Sequence, residues 1–417
     1  MDIPKPYPYR WVVLLAFALA MAVQQLLWIT FASITHDAAL YYKVSELAIG
    51  LLSLVFMAVY ILVSIPSSWL IDNRGFRFAA GVGVVITGLF GILRGIFAAN
   101  YTLVLVCQIG IAVGQPLILN AVTTVSAKWF PPAERATAAG LSWLAGYLGL
   151  IIGLAATPYL EVAFNFQGML LCYGIISVIV AAVFLISAKE EPPVSQYAQG
   201  EERALVFDGF KQMMKKRDFI LLTAVFFIGL GVFNGLSTWI EEILRPRGLS
   251  AAQAGLIGGI MVAAGVIGSG IVPALSDKFK NRVAFIFIAI AGSVPGLVGI
   301  AYSSSYPVLL FSAGILGFFM LSTAPLGFQY GSEVALPAPE GTSNGMLMLA
   351  GQVSGIIFIF GMDALKSPAT GSMAEPMAIL IVLMVLTAAI CLMLRDPQSL
   401  RKAKLTSDGV LTPPDTA

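Results

Sequence analysis

Apolar residues run along this chain in long stretches, broken by short polar or charged turns. Stretches of about 20 apolar residues are long enough to cross a bilayer as helices. A helix also satisfies its own backbone hydrogen bonds, which lipid cannot do. The predicted spans cover residues 11–34, 47–71, 78–98, 101–127, 136–160 and 166–187. A second set covers 219–244, 251–275, 283–302, 307–331, 342–365 and 377–394. The pattern predicts an all-α membrane protein of twelve transmembrane helices in two pseudo-symmetric six-helix halves. The N-terminal bundle takes residues 1–187, a cytoplasmic linker 188–218, the C-terminal bundle 219–394 and a cytoplasmic tail 395–417.

The halves carry traces of duplication. Asp72, in the turn Ser68-Trp69-Leu70-Ile71-Asp72-Asn73-Arg74-Gly75-Phe76-Arg77, is matched by Asp277, in Pro273-Ala274-Leu275-Ser276-Asp277-Lys278-Phe279-Lys280-Asn281-Arg282. Gly140 and Gly146 are matched by Gly345 and Gly351 at the same offset of 205 positions. Two unrelated stretches sharing one offset imply a repeated unit, a pattern common in transporters.

Composition agrees with this pattern. The chain is 58% hydrophobic and 11% charged, with mean hydropathy +0.89. Soluble domains carry roughly 25% charged residues. With both termini on the inside, only Lys43, Arg94, Arg245, Arg247 and Lys366 fall at the outer ends of spans, and the other bases fall on the cytoplasmic side. The expected location is a plasma membrane of the bacterial inner-membrane type, with Trp11 opening a retained first span. The linker residues Leu205, Val206, Phe210, Met213 and Met214 lie at roughly helical spacing among Lys211, Lys215, Lys216 and Arg217. They read either as an amphipathic surface helix or as a plain connector.

Enzyme chemistry finds little support. Cys107, Cys172 and Cys391 lie inside apolar runs, the only histidine is His36, and no metal-ligand, P-loop or nucleophile-elbow motif occurs. No cofactor, metal or nucleic-acid partner is expected; the partners implied are a small-molecule substrate and the bilayer, with the protein a monomer. A sensor would need an output domain, which neither linker nor tail is long enough to supply.

Polar side chains at mid-depth in a membrane must face protein or a cavity. Gln24, Gln25 and Trp28 sit halfway along the first span, Gln115 and Asn120 in the fourth, Asn234 and Thr238 in the seventh and Gln352 in the eleventh. Tyr147 is the repeat-mate of Gln352, and Trp143 lies one turn before it. Amides both donate and accept, which suits a neutral or zwitterionic solute. Each amide alone reads equally well as a bond between helices. The turn residues Asp72, Gly75, Arg77, Asp277 and Arg282, with Arg135 and Glu333 at other inner ends, form the candidate gating set. Asp72 is expected to accept from the N-terminus of a neighbouring helix. Arg94 is expected to snorkel to the headgroups, and His36 and Asp37 to be solvated. Acids fall at span ends and none at mid-depth, so facilitative transport is expected, with Glu241 or Asp363 the route for a proton-coupled alternative.

The Asp72 turn resembles the loop G-x-L-a-D-r-x-G-r-k of the major facilitator superfamily. Ser68 replaces its leading glycine, Phe76 replaces one base, and Lys280 stands at the glycine of the second copy. A finer resemblance, to the feline leukaemia virus subgroup C receptor-related transporters, is carried by Arg10-Trp11-Val12-Val13-Leu14-Leu15, Ile65-Pro66-Ser67-Ser68-Trp69-Leu70-Ile71-Asp72, Leu316-Gly317-Phe318-Phe319-Met320, Pro325-Leu326-Gly327-Phe328, Glu333 and Pro339-Glu340-Gly341-Thr342-Ser343-Asn344-Gly345. The resemblance implies alternating access and a substrate such as choline, ethanolamine or pyridoxine. It places Trp28 at the family's first-helix tryptophan, which stacks on the substrate's ammonium group, and Gln115 and Gln352 at its fourth- and eleventh-helix glutamines. Asn234 stands where the family has a seventh-helix tyrosine. That change leaves one ring, and leaves a smaller amine and an uncharged polar solute both open.

Overall fold

The computed structural model describes residues 7–131, 134–192, 213–336 and 340–395. Among these residues the regular elements are helical: α1 (Arg10–Ile29), α2 (Thr35–Tyr42), α3 (Glu46–Arg74), α4 (Phe76–Ile96), α5 (Tyr101–Leu119), α6 (Val122–Trp129), α7 (Arg135–Ser187), α8 (Arg217–Thr238), α9 (Ile240–Leu244), α10 (Ala251–Phe279), α11 (Arg282–Tyr302), α12 (Tyr306–Ala335), α13 (Glu340–Ala364) and α14 (Ala374–Cys391). Most of the linker and tail, including linker residues 205–212, lies outside the described residues.

Among the described residues, eleven helices are long and apolar enough to cross a membrane, one of them the 51-residue Thr137–Ser187. A straight helix of that length would reach about 77 Å, more than twice the hydrocarbon core. It is broken at Asn165, whose backbone leaves the helical region at φ 57° and ψ 176°. The Asn165 side chain accepts from Gly168 N at 3.0 Å and so restarts the helix. Thus α7 holds two of the expected spans, and eleven long helices accommodate twelve apolar runs. The first span is shorter than expected. It ends at Ile29, and the chain then turns into α2, with Thr35, Ala38 and Ala39 buried.

The chain divides into two compact units: Met1–Glu201 with Asn234–Ile260 and Gly355–Met373, and Glu202–Phe233 with Met261–Ser354 and Ala374–Ala417. In the first, α1 and α4 pack on α7, and α5 packs on α3 and α4. Close approach needs small residues in lipid. A Cβ on Gly149 would lie 1.9 Å from the Ala22 carbonyl oxygen, so only glycine allows α7 this near α1. In the second unit α11 packs on α12 and α14. There a Cβ on Gly317 would lie 1.7 Å from the Met261 carbonyl oxygen.

The first unit is larger than the sequence half 1–187 because Asn234–Ile260 and Gly355–Met373 join it, with α9 packed on α2, Trp239 against Gly50 of α3 and Lys366 paired with Glu46. The Trp239 indole fills the space beside Gly50, where a Cβ would come within 2.6 Å of its Cη2, and its Nε1 donates to the Ile359 carbonyl at 3.1 Å. A Cβ on Gly255 would meet the Leu154 carbonyl oxygen at 2.2 Å.

Candidate functional site

The polar residues at mid-depth of the first unit fall into two kinds. Gln24 is fully buried and spent on structure: its Nε2 donates to the Ile111 carbonyl at 2.9 Å and its Oε1 accepts from Thr87 at 2.9 Å. Asn120 is spent as well. Its Oδ1 accepts from Tyr60 at 2.8 Å, and its Nδ2 donates to Ser67 Oγ at 2.9 Å and Ser64 Oγ at 3.0 Å. Trp28, also buried, donates through Nε1 to the Ser53 carbonyl at 3.2 Å, which fixes the indole against α3. Gln115 donates to Gln25 Oε1 at 3.4 Å, a long bond that leaves amide capacity on both residues.

On α8, Asn234 lies beside Gly355 and near Met57: a Cβ on Gly355 would approach the Asn234 Nδ2 to 2.7 Å and Met57 Sδ to 2.5 Å. The hydroxyls of Ser237 and Thr238 are buried with no hydrogen-bond partner among the described residues. Trp143 and Tyr147 are half-buried on α7. Gln352, half-buried on α13, belongs to the second unit. The row Ser53, Met57, Tyr60, Ser64 and Ser67 on α3 went unnoticed in the sequence. Its spacing of three and four residues marks one helix face, and four of its members, Ser53, Tyr60, Ser64 and Ser67, bond Trp28 or Asn120.

A charged cluster closes the end of the first unit that carries α2 and α9. Arg245 Nη2 donates to Glu46 Oε1 at 2.8 Å and to Glu242 Oε2 at 3.3 Å. Lys366 Nζ bonds the same two carboxylates. Two cations and two anions thus alternate in a ring, with Glu242 fully buried and Lys366 12% exposed. His36, half-buried rather than solvated, joins through Nδ1 to Glu46 Oε1 at 3.2 Å. Its backbone N–H donates to Glu241 Oε2 at 2.7 Å. Burial, and secondarily the charge of Glu242, lift Glu241 to about 8, against the pull of the His36 N–H and Arg245. A cavity of about 390 Å³, lined in part by Glu46, Arg245, Asp363 and Lys366, adjoins the ring. Ligand atoms of His36, Glu46 and Glu242 lie within 4.8 Å of one another, as in a metal site. Lys366 and Arg245 already supply the positive charge that a metal ion would bring.

At the other end, the turn between α3 and α4 is organised by a residue that the sequence did not single out. Glu190 accepts from Phe76 N at 3.2 Å and Arg77 N at 2.7 Å, capping α4, and pairs with Lys128 at 2.6 Å. Asp72, expected in a capping role, is exposed on the last turn of α3. Gly75 holds φ +85°, and a Cβ there would strike the Glu190 carboxylate at 2.3 Å. Arg135 Nε donates to the Phe130 carbonyl at 3.4 Å, while Arg10 pairs with Glu134 at 3.0 Å. In the second unit the corresponding turn brings three candidates together. Arg282, 5% exposed, bonds Asp277 at 2.6 Å and Glu333 at 3.1 Å. Lys280, at the glycine position, holds a left-handed φ of 49°. Nearby, Lys216 donates to the Val334 carbonyl at 3.1 Å.

Apolar helices long enough to span a bilayer, packed closely through glycine, define a polytopic membrane protein. Residues 13–359 match the Major Facilitator Superfamily, and the chain belongs to it. It is related to the choline/ethanolamine transporter FLVCR1 of Felis catus, at 31% identity over 391 residues, covering 87% of this chain and 69% of that protein. It is also similar to solute carrier family 49 member A3 of Xenopus tropicalis, at 28% identity over 391 residues, covering 89% of this chain and 81% of that one. In fold it resembles the crystal structure of a bacterial homolog of the human lysosomal transporter Spinster, inward-facing and unoccupied. The TM-score there is 0.79 at 18% identity, covering 95% of this chain and 99% of that one.

Proposed function

We propose that this transporter is a facilitative carrier of a small polar organic solute, working by alternating access. The observation that carries the reading is the ring of Glu46, Arg245, Glu242 and Lys366, a set of ion pairs drawn from α3, α9 and the segments after α9 and α13. Such a ring is a bistable element: complete when this end is closed, and hydrated when the segments part.

The solute class follows from the groups that have capacity left. One aromatic ring, Trp28, and the Gln25–Gln115 pair are buried in the first unit, to which the buried, unpartnered hydroxyls of Ser237 and Thr238 also belong. A ring supports a cation by about 0.5–2 kcal/mol. The relatives named choline/ethanolamine transporters make an amine such as ethanolamine or choline the first candidate, with a vitamin such as pyridoxine next. Facilitative transport is supported by the acids of the described spans, which sit at helix ends, among them Glu46, Asp72, Asp277, Glu333 and Asp363. The bias of basic residues favours cytoplasmic termini, and a bacterial-type inner membrane and a monomer complete the proposal.

Proteoliposomes loaded with purified protein test this. Saturable uptake of ethanolamine, choline or pyridoxine is expected, with Trp28→Ala and Gln352→Ala each abolishing it in folded protein. Parental affinity in both mutants would place the site elsewhere. Accumulation driven by a pH step alone, at zero potential and lost in Glu241→Gln or Asp363→Asn, would replace the facilitative reading with proton coupling.

A further inference from the structure

Arg94 is a fully buried cation. It lies within α4, near the end that carries α2, and its side chain is 0% exposed. The sequence suggested a residue reaching for headgroups; instead, α1, α5 and α7 enclose it. Nη1 donates to Gln108 Oε1 at 2.8 Å and to the Leu27 carbonyl at 3.3 Å. The Phe31 ring lies 5.5 Å from the guanidinium carbon. Among the described residues, the ionisable groups that act on its charge are Tyr42, Tyr173 and Cys107, with no carboxylate among them.

Two further atoms are left over. Nε and Nη2 are buried with no hydrogen-bond partner among the described residues. These nitrogens form one edge of the guanidinium, the side-on fork that takes an anion through two parallel N–H bonds. The Tyr42 hydroxyl is likewise buried and unpartnered. It belongs to the same packed group, since Tyr42 stacks edge-on against Phe166 at 5.2 Å and Phe166 lies 6.2 Å from Phe31. The Tyr173 hydroxyl, by contrast, is engaged by Thr157 at 2.8 Å.

A guanidinium does not escape burial by losing its proton. An isolated buried charge is costly unless it is paired and hydrogen-bonded. Amide and carbonyl oxygens satisfy one nitrogen but bring no opposite charge. Water would fill the remaining donors and still leave the cation uncompensated. A small anion does both.

We propose that Arg94 and Tyr42 hold a small monovalent anion, chloride under ordinary conditions, at a structural site inside the first unit. The anion accepts from Nε, Nη2 and the Tyr42 hydroxyl, and so ties α4 to α2. A ligand that binds only the folded form raises stability with its concentration.

The test is thermal unfolding of the purified full chain in lipid nanodiscs, with chloride exchanged for gluconate at constant ionic strength. A saturable rise in Tm with chloride is expected, reproduced by bromide. In Tyr42→Phe the chloride midpoint should move up about tenfold, the worth of one hydrogen bond to a charged acceptor. In Arg94→Gln the dependence should vanish; if that variant does not fold, the wild-type and Tyr42→Phe series decide. Bromide-soaked crystals should show anomalous density beside Arg94. Superposable melting in chloride and gluconate would overturn the proposal. So would an unchanged midpoint in Tyr42→Phe, or a chloride response that survives in folded Arg94→Gln.

Discussion

The indole of Trp239 occupies the volume that any side chain at position 50 would need. A Cβ on Gly50 would stand 2.6 Å from Cη2 and 2.8 Å from Cζ2, and Trp239 is fully buried and tied to the Ile359 carbonyl. Gly50→Ala therefore overpacks the closed arrangement of α3, α9 and α13, by about 1–3 kcal/mol. If this end opens during transport, the open form gains by the same amount. A Ser33→Cys reporter, buried beside Gly255, should then react with maleimide about five- to 150-fold faster in solubilised protein. Trp239→Leu in the Gly50→Ala background should reverse much of that gain. Unchanged labelling would show that the indole yields without opening this end.

Lys366 and Arg245 each bond both Glu46 and Glu242. Lys366→Met removes half of the positive charge from a ring whose Glu242 is fully buried. A buried charge left short of a partner is destabilising by about 3–5 kcal/mol, and the 23% exposure of Glu46 lowers that figure. The expected result is faster Ser33→Cys labelling and slower net transport. Exchanging the charges, Glu46→Lys with Lys366→Glu, should restore part of both. If the exchanged protein behaves like Lys366→Met, the two side chains act separately rather than as a pair.

The turn between α3 and α4 yields a coupling experiment. Gly75→Ala forces a Cβ onto a residue at φ +85° and pushes the Glu190 carboxylate off the N–H groups of Phe76 and Arg77. Glu190→Ala removes the same cap, a change of about 0.5–2 kcal/mol. Once the cap is gone, only the backbone strain of the alanine is left. The double mutant should be more stable than additivity predicts, by about 0.5–2 kcal/mol in chemical or thermal unfolding. Strict additivity would mean that position 75 and Glu190 are energetically independent.

Much of this organisation was legible in the sequence, because it is written in local patterns. Apolar runs marked out the spans, and the break at Asn165 falls between the two that were expected there. The repeated turn pointed to Asp277 and Arg282, which do meet, together with Glu333. What escaped depends on distant partners. Glu190 caps Phe76 from 114 residues away, and Lys366 reaches Glu46 across 320. No spacing rule connects such positions. The burial of Arg94 is illegible for the same reason: whether a base near a span end meets headgroups or protein depends on what covers that end.

Glu241 is expected to make this end of the first unit respond to pH. Its carboxyl is 3% exposed, and burial lifts it from an ordinary 4.5 to about 8. Opening this end would return it to water and towards 4.5. The closed form therefore holds a proton that the open form releases, across the window from 4.5 to 8. By linkage the closed form is most favoured below pH 4.5 and loses that advantage as pH rises through 8. A tenfold change in proton affinity is worth about 1.4 kcal/mol, so the whole window amounts to a few kcal/mol. His36, Glu46, Asp37, Glu242, Arg245 and Lys366 surround the group, so Glu241→Gln is needed to isolate its share. Ser33→Cys labelling should accelerate between pH 6 and pH 9 well beyond the intrinsic rise in thiolate, as calibrated on unfolded protein. In Glu241→Gln, which keeps the neutral shape, that excess should disappear and labelling should stay slow. An excess that persists in Glu241→Gln would assign the pH response to another member of the cluster.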